Sequence, residues 1–460
     1  MMGSYACLHA APVDVSRLNL DLPARPGTFW SQSDRTASPA TQPNEAPLRF
    51  TSLAELTDYA LRERPESRAA WLTIQAEAAR LDVQQAANWP SLAAQFNFTQ
   101  SQSLSSSGAA VPVLNRYGPS LSLSYVLYDF GARRAGIAAQ RYQLIAALLN
   151  NNRNLQDTAA AVEQAWFALS AARAQVAAQH EAEAALAASL DAVTLKLNSG
   201  LVARADQLRA RAALAEARLA AHTAERDAGK AEAALKQSAG IAQTRSLQLD
   251  WKTAMPDALE ANLALADLLD LALQQRPDLQ ALAAASAAAS ADADRARAAR
   301  WPVLSVSGTT GRTSFLEDNR PSSNTYSLGI NVSVPLFDGG RLRGLVRAAE
   351  RDAERLEAEQ AVQANGVTRA VTDAYYDTRH AQSQRADVQD LLAAANESAH
   401  AAEARYRAGV GSLLELLTAQ ADQARARLTS AQAESDWLAA FSRLSHALGR
   451  LPGVPPSSPP

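Results

Sequence analysis

Leu53-Ala54-Glu55-Leu56, followed by Arg64-Pro65-Glu66 and then Trp89-Pro90, returns 212 residues later as Leu265-Ala266-Asp267-Leu268, Arg276-Pro277-Asp278 and Trp301-Pro302. Farther along, the shift becomes 209. Leu127-Tyr128-Asp129-Phe130-Gly131 matches Leu336-Phe337-Asp338-Gly339-Gly340, and Ala165-Trp166-Phe167 matches Ala374-Tyr375-Tyr376. Asn198-Ser199-Gly200 aligns on Arg407-Ala408-Gly409, and Ser238-Ala239-Gly240 on Ala447-Leu448-Gly449. A three-residue deletion between Trp-Pro and the aspartate accounts for the change. Ordered agreement along so much of the chain means two structural copies. They are expected at 51–240 and 265–450, joined by a linker at 241–264. An extended segment (1–50), with six prolines between Pro12 and Pro47, precedes them, and a proline-rich tail (451–460) follows.

Of the 460 residues, 103 are alanine, and all 20 prolines fall outside two windows, 120–255 and 336–451. Proline removes a donor and clashes inside a helix, so these windows predict long uninterrupted helices. Each copy then reads in the same order. A helix of about 35 residues (53–88; 265–300) stops at Trp-Pro, because proline disfavours helical backbone in the residue before it. A strand pair follows, with loops at 101–116 and 311–325. Ala94, Phe96 and Phe98 alternate with Gln95, Asn97 and Thr99, and Leu121, Leu123, Tyr125 and Leu127 alternate with Ser120, Ser122 and Ser124. In the second copy Leu328, Ile330, Val332, Val334 and Leu336 alternate with Ser327, Gly329, Asn331 and Ser333. Period two with one apolar face marks these as strands. A helix of roughly 65 residues, ~100 Å long, then runs to Gly200 or Gly409, where glycine caps it and a return helix begins. The return helices carry a seam at 4-3 spacing, Leu417, Ala421, Ala424, Leu428, Ala431 and Leu438, matched by Leu208, Ala212, Ala215 and Leu219. A second stripe, Ala213, Ala217, Ala220 and Ala224, lies beside it, so the helix can touch a neighbour on each side, as in a closed tube.

Composition removes several function classes. Forty-four basic against 47 acidic residues, a net charge of −3, leave no basic excess for binding nucleic acid. One cysteine, three methionines and six histidines offer neither a disulfide framework nor a repeated metal-ligand spacing. His180, His222, His380, His400 and His446 fall on predicted helices without partnered cysteine or carboxylate motifs, and no phosphate-cradling glycine loop occurs. The chain is therefore expected to be neither an enzyme nor a cofactor binder. It has no apolar run long enough for a spanning helix. Strands with one apolar and one polar face are nevertheless the pattern of a membrane barrel. Four strands cannot close one, since single-chain barrels start at about eight. Either several chains close it together or the sheet is soluble. A soluble coiled-coil scaffold would explain the alanine-rich helices, but not paired strands at the same place in each copy.

Over about residues 50–450 the chain resembles the TolC-type outer-membrane channel proteins. The resemblance rests on Arg276-Pro277-Asp278-Leu279, Leu336-Phe337-Asp338-Gly339-Gly340-Arg341, Gly200-Leu201-Val202-Ala203 and Tyr406-Arg407-Ala408-Gly409. It implies a mainly α protein with a small β part: a homotrimer in the bacterial outer membrane, in which a 12-stranded transmembrane β-barrel caps a periplasmic α-helical tunnel. It implies the exit duct of a tripartite efflux pump, with a periplasmic adaptor (membrane fusion protein) and an inner-membrane pump as partners; the duct of a type I secretion system is the alternative. The proline-bearing N-terminal segment is similar to outer-membrane factors of resistance-nodulation-division (RND) pumps, which points to an RND rather than an ABC partner. No cofactor, metal or nucleic acid is implied.

Three groups of residues are singled out. The resemblance gives an adaptor-facing role to the turns Gly200, Leu201, Val202 and Ala203, and Gly409, Val410, Gly411 and Ser412; the alternative is that the two closing glycines are merely caps, but capping alone would not require Gly411 as well. It places a periplasmic constriction at Glu415, with Thr418 where a second acid is often found. Asp206, the counterpart of Glu415 in the first copy, is read either as a pore residue or as a charge near a helix N-terminus. Cys7 after Ala6 is a candidate for lipidation, with a stray thiol as the alternative; residues 1–30 carry no complete signal-peptide pattern, and Ser4 fits a lipidation box poorly.

Overall fold

The computed structural model describes residues 47–102, 108, 110, 113–249, 264–316 and 320–450. Its first half contains β1 (Leu48–Phe50), α1 (Leu53–Glu63), α2 (Pro65–Ala86), β2 (Ser91–Ser101), β3 (Leu114–Tyr128), α3 (Ala132–Asn198), α4 (Arg204–Ser238) and β4 (Leu247–Leu249). The second contains α5 (Leu265–Gln275), α6 (Pro277–Ala298), β5 (Val303–Phe315), β6 (Ser323–Ser333), α7 (Arg341–Arg407) and α8 (Leu413–Ala447). The helices match in pairs: α1 and α5 have 11 residues, α2 and α6 have 22, α3 and α7 have 67, α4 and α8 have 35.

The expected 35-residue first helix is broken in both copies. Arg64 (φ −64°, ψ 133°) and Arg276 (φ −67°, ψ 123°) are extended, because each precedes a proline that opens the next helix. The break has a use. Arg276 is buried, donates from Nη1 to the Ala447 carbonyl at 3.0 Å, and holds Asp278 from Nε at 2.9 Å. It thus occupies an orphan carbonyl at the end of α8. Burial would raise the Asp278 pKa, but the hydrogen bonds and charge of Arg276 outweigh it and hold the carboxyl below its usual range.

Two units divide the chain. One takes in residues 73–148 and 280–361 and holds an antiparallel sheet of order β2-β3-β5-β6. Register runs straight across its centre, with a bulge between Val126 and Tyr128 where β3 meets β5. The row Ala94, Leu121, Thr310, Tyr326 and the row Leu92, Leu123, Gly308, Leu328 lie on one face. The intervening rows Ala93, Ser122, Thr309, Ser327 and Ser91, Ser124, Ser307, Gly329 lie on the other, since side chains alternate along a strand. Leu92, Phe96, Phe98, Tyr326, Leu328, Ile330 and Val332 are all exposed. The second-copy loop is shorter than expected, because β5 reaches Phe315 and β6 starts at Ser323; β6 ends at Ser333, so Val334 and Leu336 lie beyond it. Asp129 and Asp338 then turn each strand into a long helix, accepting from the backbone N–H groups of Gly131 and Arg133, and of Gly340 and Leu342. In the first of these turns Phe130 has φ 51°, alone among the described non-glycine residues in being left-handed, where the second copy has Gly339. A left-handed non-glycine residue costs about 1–2 kcal/mol.

The other unit takes in residues 47–72, 149–249, 264–279 and 362–450. β1 pairs in parallel with β4 beside a core of Phe50, Leu56, Trp166, Phe167, Leu235 and Ile241. A second core, Leu268, Leu279, Val367, Val371, Leu444 and Leu448, repeats it in the other copy. The buried stripe of α4 is Ala210, Leu214, Ala217, Ala221 and Ala224, two positions beyond the predicted seam and including Ala217 and Ala224 of the second predicted stripe, whose Ala213 and Ala220 are half-buried. Leu208 and Leu219 stay 55% and 69% exposed, with Ala212 and Ala215 exposed beside them. In α8 the buried stripe likewise runs through Leu413, Leu416, Ala426, Ala433, Trp437 and Ala440, leaving Leu417, Leu428 and Leu438 half-buried. The 4-3 spacing is present twice on these alanine-rich helices, and spacing alone cannot tell which stripe faces the chain's own helices.

Candidate functional site

The two helical turns lie in this second unit and are built alike. At the end of α3, Gly200 (φ 74°) donates to the Leu197 carbonyl at 2.9 Å, and Leu201 N–H to that of Lys196 at 2.9 Å. At the end of α7, Gly409 (φ 77°) donates to Tyr406 at 3.2 Å, while the N–H groups of Val410 and Gly411 both reach the Arg405 carbonyl, at 3.1 and 3.0 Å. The left-handed glycine closing a helix end needs no further explanation. Gly411 is different, because a Cβ there would stand 3.0 Å from the Arg405 Cβ and 3.1 Å from the Tyr406 nitrogen. Ser412 caps α8, accepting from the Glu415 N–H at 3.1 Å, whereas Ala203 leads into α4 with no side-chain cap.

Both turns pack on one cluster. Val193 and Ala210 from the first hairpin meet Tyr406, Leu413 and Leu416 from the second, with Val202 and Leu417 at its margin. Val202 is therefore half-buried, and the apolar surface of the tips is made instead by Leu195, Leu201, Val410 and Leu414, all at least 65% exposed. Leu195 and Leu414, one turn to either side, were not anticipated.

Charges are paired within the chain. Glu415 Oε1 lies 3.0 Å from Arg405 Nε, both side chains about half exposed, an ion pair worth under ~1 kcal/mol. Asp206 Oδ1 lies 3.4 Å from Arg209 Nη1. Thr418 is exposed. Lys196 donates from Nζ to the Tyr406 carbonyl at 3.2 Å and stands 3.9 Å over the Tyr406 ring, tying one hairpin to the other through a cation–π contact. The Tyr406 hydroxyl is buried with no partner among the described residues. Burial first, then the nearby Asp206 charge, push its pKa up. Sequence reasoning missed Lys196 and Arg405 and read Tyr406 only as part of a motif. Its one usable signal was a basic residue in the last turn of α3, which favours the negative end of the helix dipole.

Among the described residues no three His, Cys, Asp or Glu side chains gather as metal ligands, and no helix is long and apolar enough to cross a membrane. Cys7 lies outside the described residues.

A family model described as outer membrane efflux protein matches residues 56–241 and 268–450. Protein CyaE of Bordetella pertussis is 32% identical over 443 residues, covering 94% of this chain and 92% of the relative. The outer membrane efflux protein BepC of Brucella suis is 23% identical over 332 residues, 72% of each chain. The crystal structure of the outer membrane protein VceC from Vibrio cholerae superposes with a TM-score of 0.77 at 20% identity, covering 86% of this chain and 96% of that one.

Proposed function

Because the chain belongs to the outer membrane efflux protein family, whose members are outer-membrane channels rather than enzymes and work with periplasmic adaptors and inner-membrane pumps, we propose that it is the exit duct of a tripartite efflux pump, most simply one with an RND-type inner-membrane component. Three copies would close a 12-stranded barrel and, below it, an α-helical tunnel in the periplasm. The observation that carries this reading is the four-stranded sheet, whose apolar face crosses every strand and whose edge strands β2 and β6 each have one neighbour among the described residues. Lipid forbids open sheet edges, so such a sheet must be continued by other copies.

The tip turns are the proposed adaptor contact, at Gly200, Leu201, Val202, Ala203, Gly409, Val410, Gly411 and Ser412. Exposed Leu201 and Val410 supply apolar area, and the tight backbone at Gly411 keeps the turn small enough for close approach. The proposed constriction is at Glu415, with Thr418 and Asp206 beside it. Three Glu415 carboxylates around an axis would attract cations, and Arg405 would moderate their mutual repulsion. Single-channel recording in planar bilayers tests this. Glu415→Ala should weaken both cation selectivity and divalent-ion block; unchanged selectivity and block would move the constriction elsewhere. Deleting the gene should sensitise cells to small toxic compounds while leaving secreted proteins in place, and the reverse outcome would favour a type I secretion duct.

A further inference from the structure

We propose that the junction between the sheet and the long helices binds anionic phospholipid headgroups through Arg134 and Arg343, an inference that rests on the membrane reading of the sheet. Where the apolar face ends, the chain builds an aromatic ledge. Phe130 stacks on Trp301 (centroids 5.6 Å apart, planes at 20°) and meets Tyr128 edge-on at 4.8 Å. Trp89, Trp301, Leu336 and Phe337 are exposed around the same turns. A bulge after Val126 brings Tyr128 opposite Leu304, on the apolar face, and the Arg133 guanidinium lies 5.8 Å from the Tyr125 ring on that face. The left-handed backbone of Phe130 is retained although glycine serves at the equivalent Gly339, so the ring itself is what the turn keeps.

Immediately past the ledge stand arginines that are unpaired among the described residues. Arg134 and Arg343 are equivalent across the repeat at the shift of 209, and both are exposed. Neither has an ion-pair or side-chain hydrogen-bond partner among the described residues, and the same holds for exposed Arg300, next to Trp301. The two turn acids form no ion pair with them. Asp129 is engaged by Arg133 at 3.0 Å, and Asp338 by the N–H groups of Gly340 and Leu342. Exposed aromatic rings followed by unpaired cations, at the margin of an apolar surface, match a lipid leaflet from acyl chain to phosphate. The occupant is thus a phospholipid with net negative charge, held at two places per chain, one past each strand-to-helix turn.

The test uses the full chain reconstituted in vesicles of brominated lipid, which quenches tryptophan at the protein surface, with Trp89 and Trp301 as reporters. Relative binding constants are measured for brominated phosphatidylglycerol against brominated phosphatidylcholine. The wild type should prefer phosphatidylglycerol about fivefold, as one arginine near the surface supplies. Arg134→Gln with Arg343→Gln should bring the ratio near one, whereas Arg134→Lys with Arg343→Lys should keep it. A wild-type ratio of one, or an unchanged ratio in the glutamine variant, overturns the inference and leaves the membrane reading intact. Loss of the preference on adding inorganic phosphate at constant ionic strength also overturns it, because the arginines would then be a small-anion site. Absence of quenching by either lipid overturns the membrane reading of the sheet and this inference with it.

Discussion

Glu163 on α3 is buried and accepts from the Ser442 hydroxyl of α8 at 2.6 Å. Burial raises its pKa from 4.5 to about 7, and the Ser442 hydrogen bond offsets only part of this. Below pH 4.5 the group is protonated folded or unfolded, and it has no effect. Between 4.5 and 7 the unfolded chain releases a proton that the folded chain keeps, so stability falls as pH rises, by ~3 kcal/mol in all. Glu163→Gln should remove this slope: its thermal midpoint, relative to wild type, should be higher at pH 8 than at pH 5. Equal differences at the two pH values would mean that the carboxyl is solvated. Arg276 gives a second expectation. Arg276→Met strands the half-buried Asp278 carboxylate and frees the Ala447 carbonyl, at roughly 3 kcal/mol. Arg64 holds the more exposed Glu66 at 3.1 Å, and Arg64→Met should cost under ~1 kcal/mol. Denaturant midpoints that rank the two variants the other way would contradict this account of the Arg-Pro-acid motif.

Among the elements, the exposed seam of α4 decides most. Leu208, Ala212, Ala215 and Leu219 point away from the buried stripe of their own chain, so charge there should be nearly neutral for the fold of one copy. Leu208→Asp with Leu219→Asp should leave helix content by circular dichroism unchanged while shifting the native-gel band from assembled to single chains. A variant that unfolds would place the seam inside the copy instead. The heptad spacing was legible because leucine and alanine recur at 4-3 intervals; its facing was not, because Ala210, Leu214 and Ala217 recur at the same intervals two residues on. The matched helix lengths were likewise legible, from Trp-Pro, the two aspartates and the four closing glycines. The breaks at Arg64 and Arg276 were not, because a proline that starts a helix and one that bends a helix read alike in a run of good helix formers. At the tips Gly200 and Gly409 announced themselves, but the Arg405–Glu415 pair and the Lys196–Tyr406 contact join residues whose separation obeys no local spacing rule.

For the whole molecule, the proposed function depends on closure of the sheet by further copies. The row Leu92, Leu123, Gly308, Leu328 and its neighbour Ala93, Ser122, Thr309, Ser327 cross all four strands, so one chain already carries the two faces that the proposed barrel would turn to lipid and to its lumen. Among the described residues the edges β2 and β6 have one neighbour each, and under the proposed closure identical copies would continue the sheet around an axis. The most direct test is the mass of the purified full chain in mild detergent by multi-angle light scattering, with strand content followed by infrared spectroscopy. Closure by three copies predicts a monodisperse particle of three chains with its strands intact. A monodisperse single chain that retains the strands would contradict it.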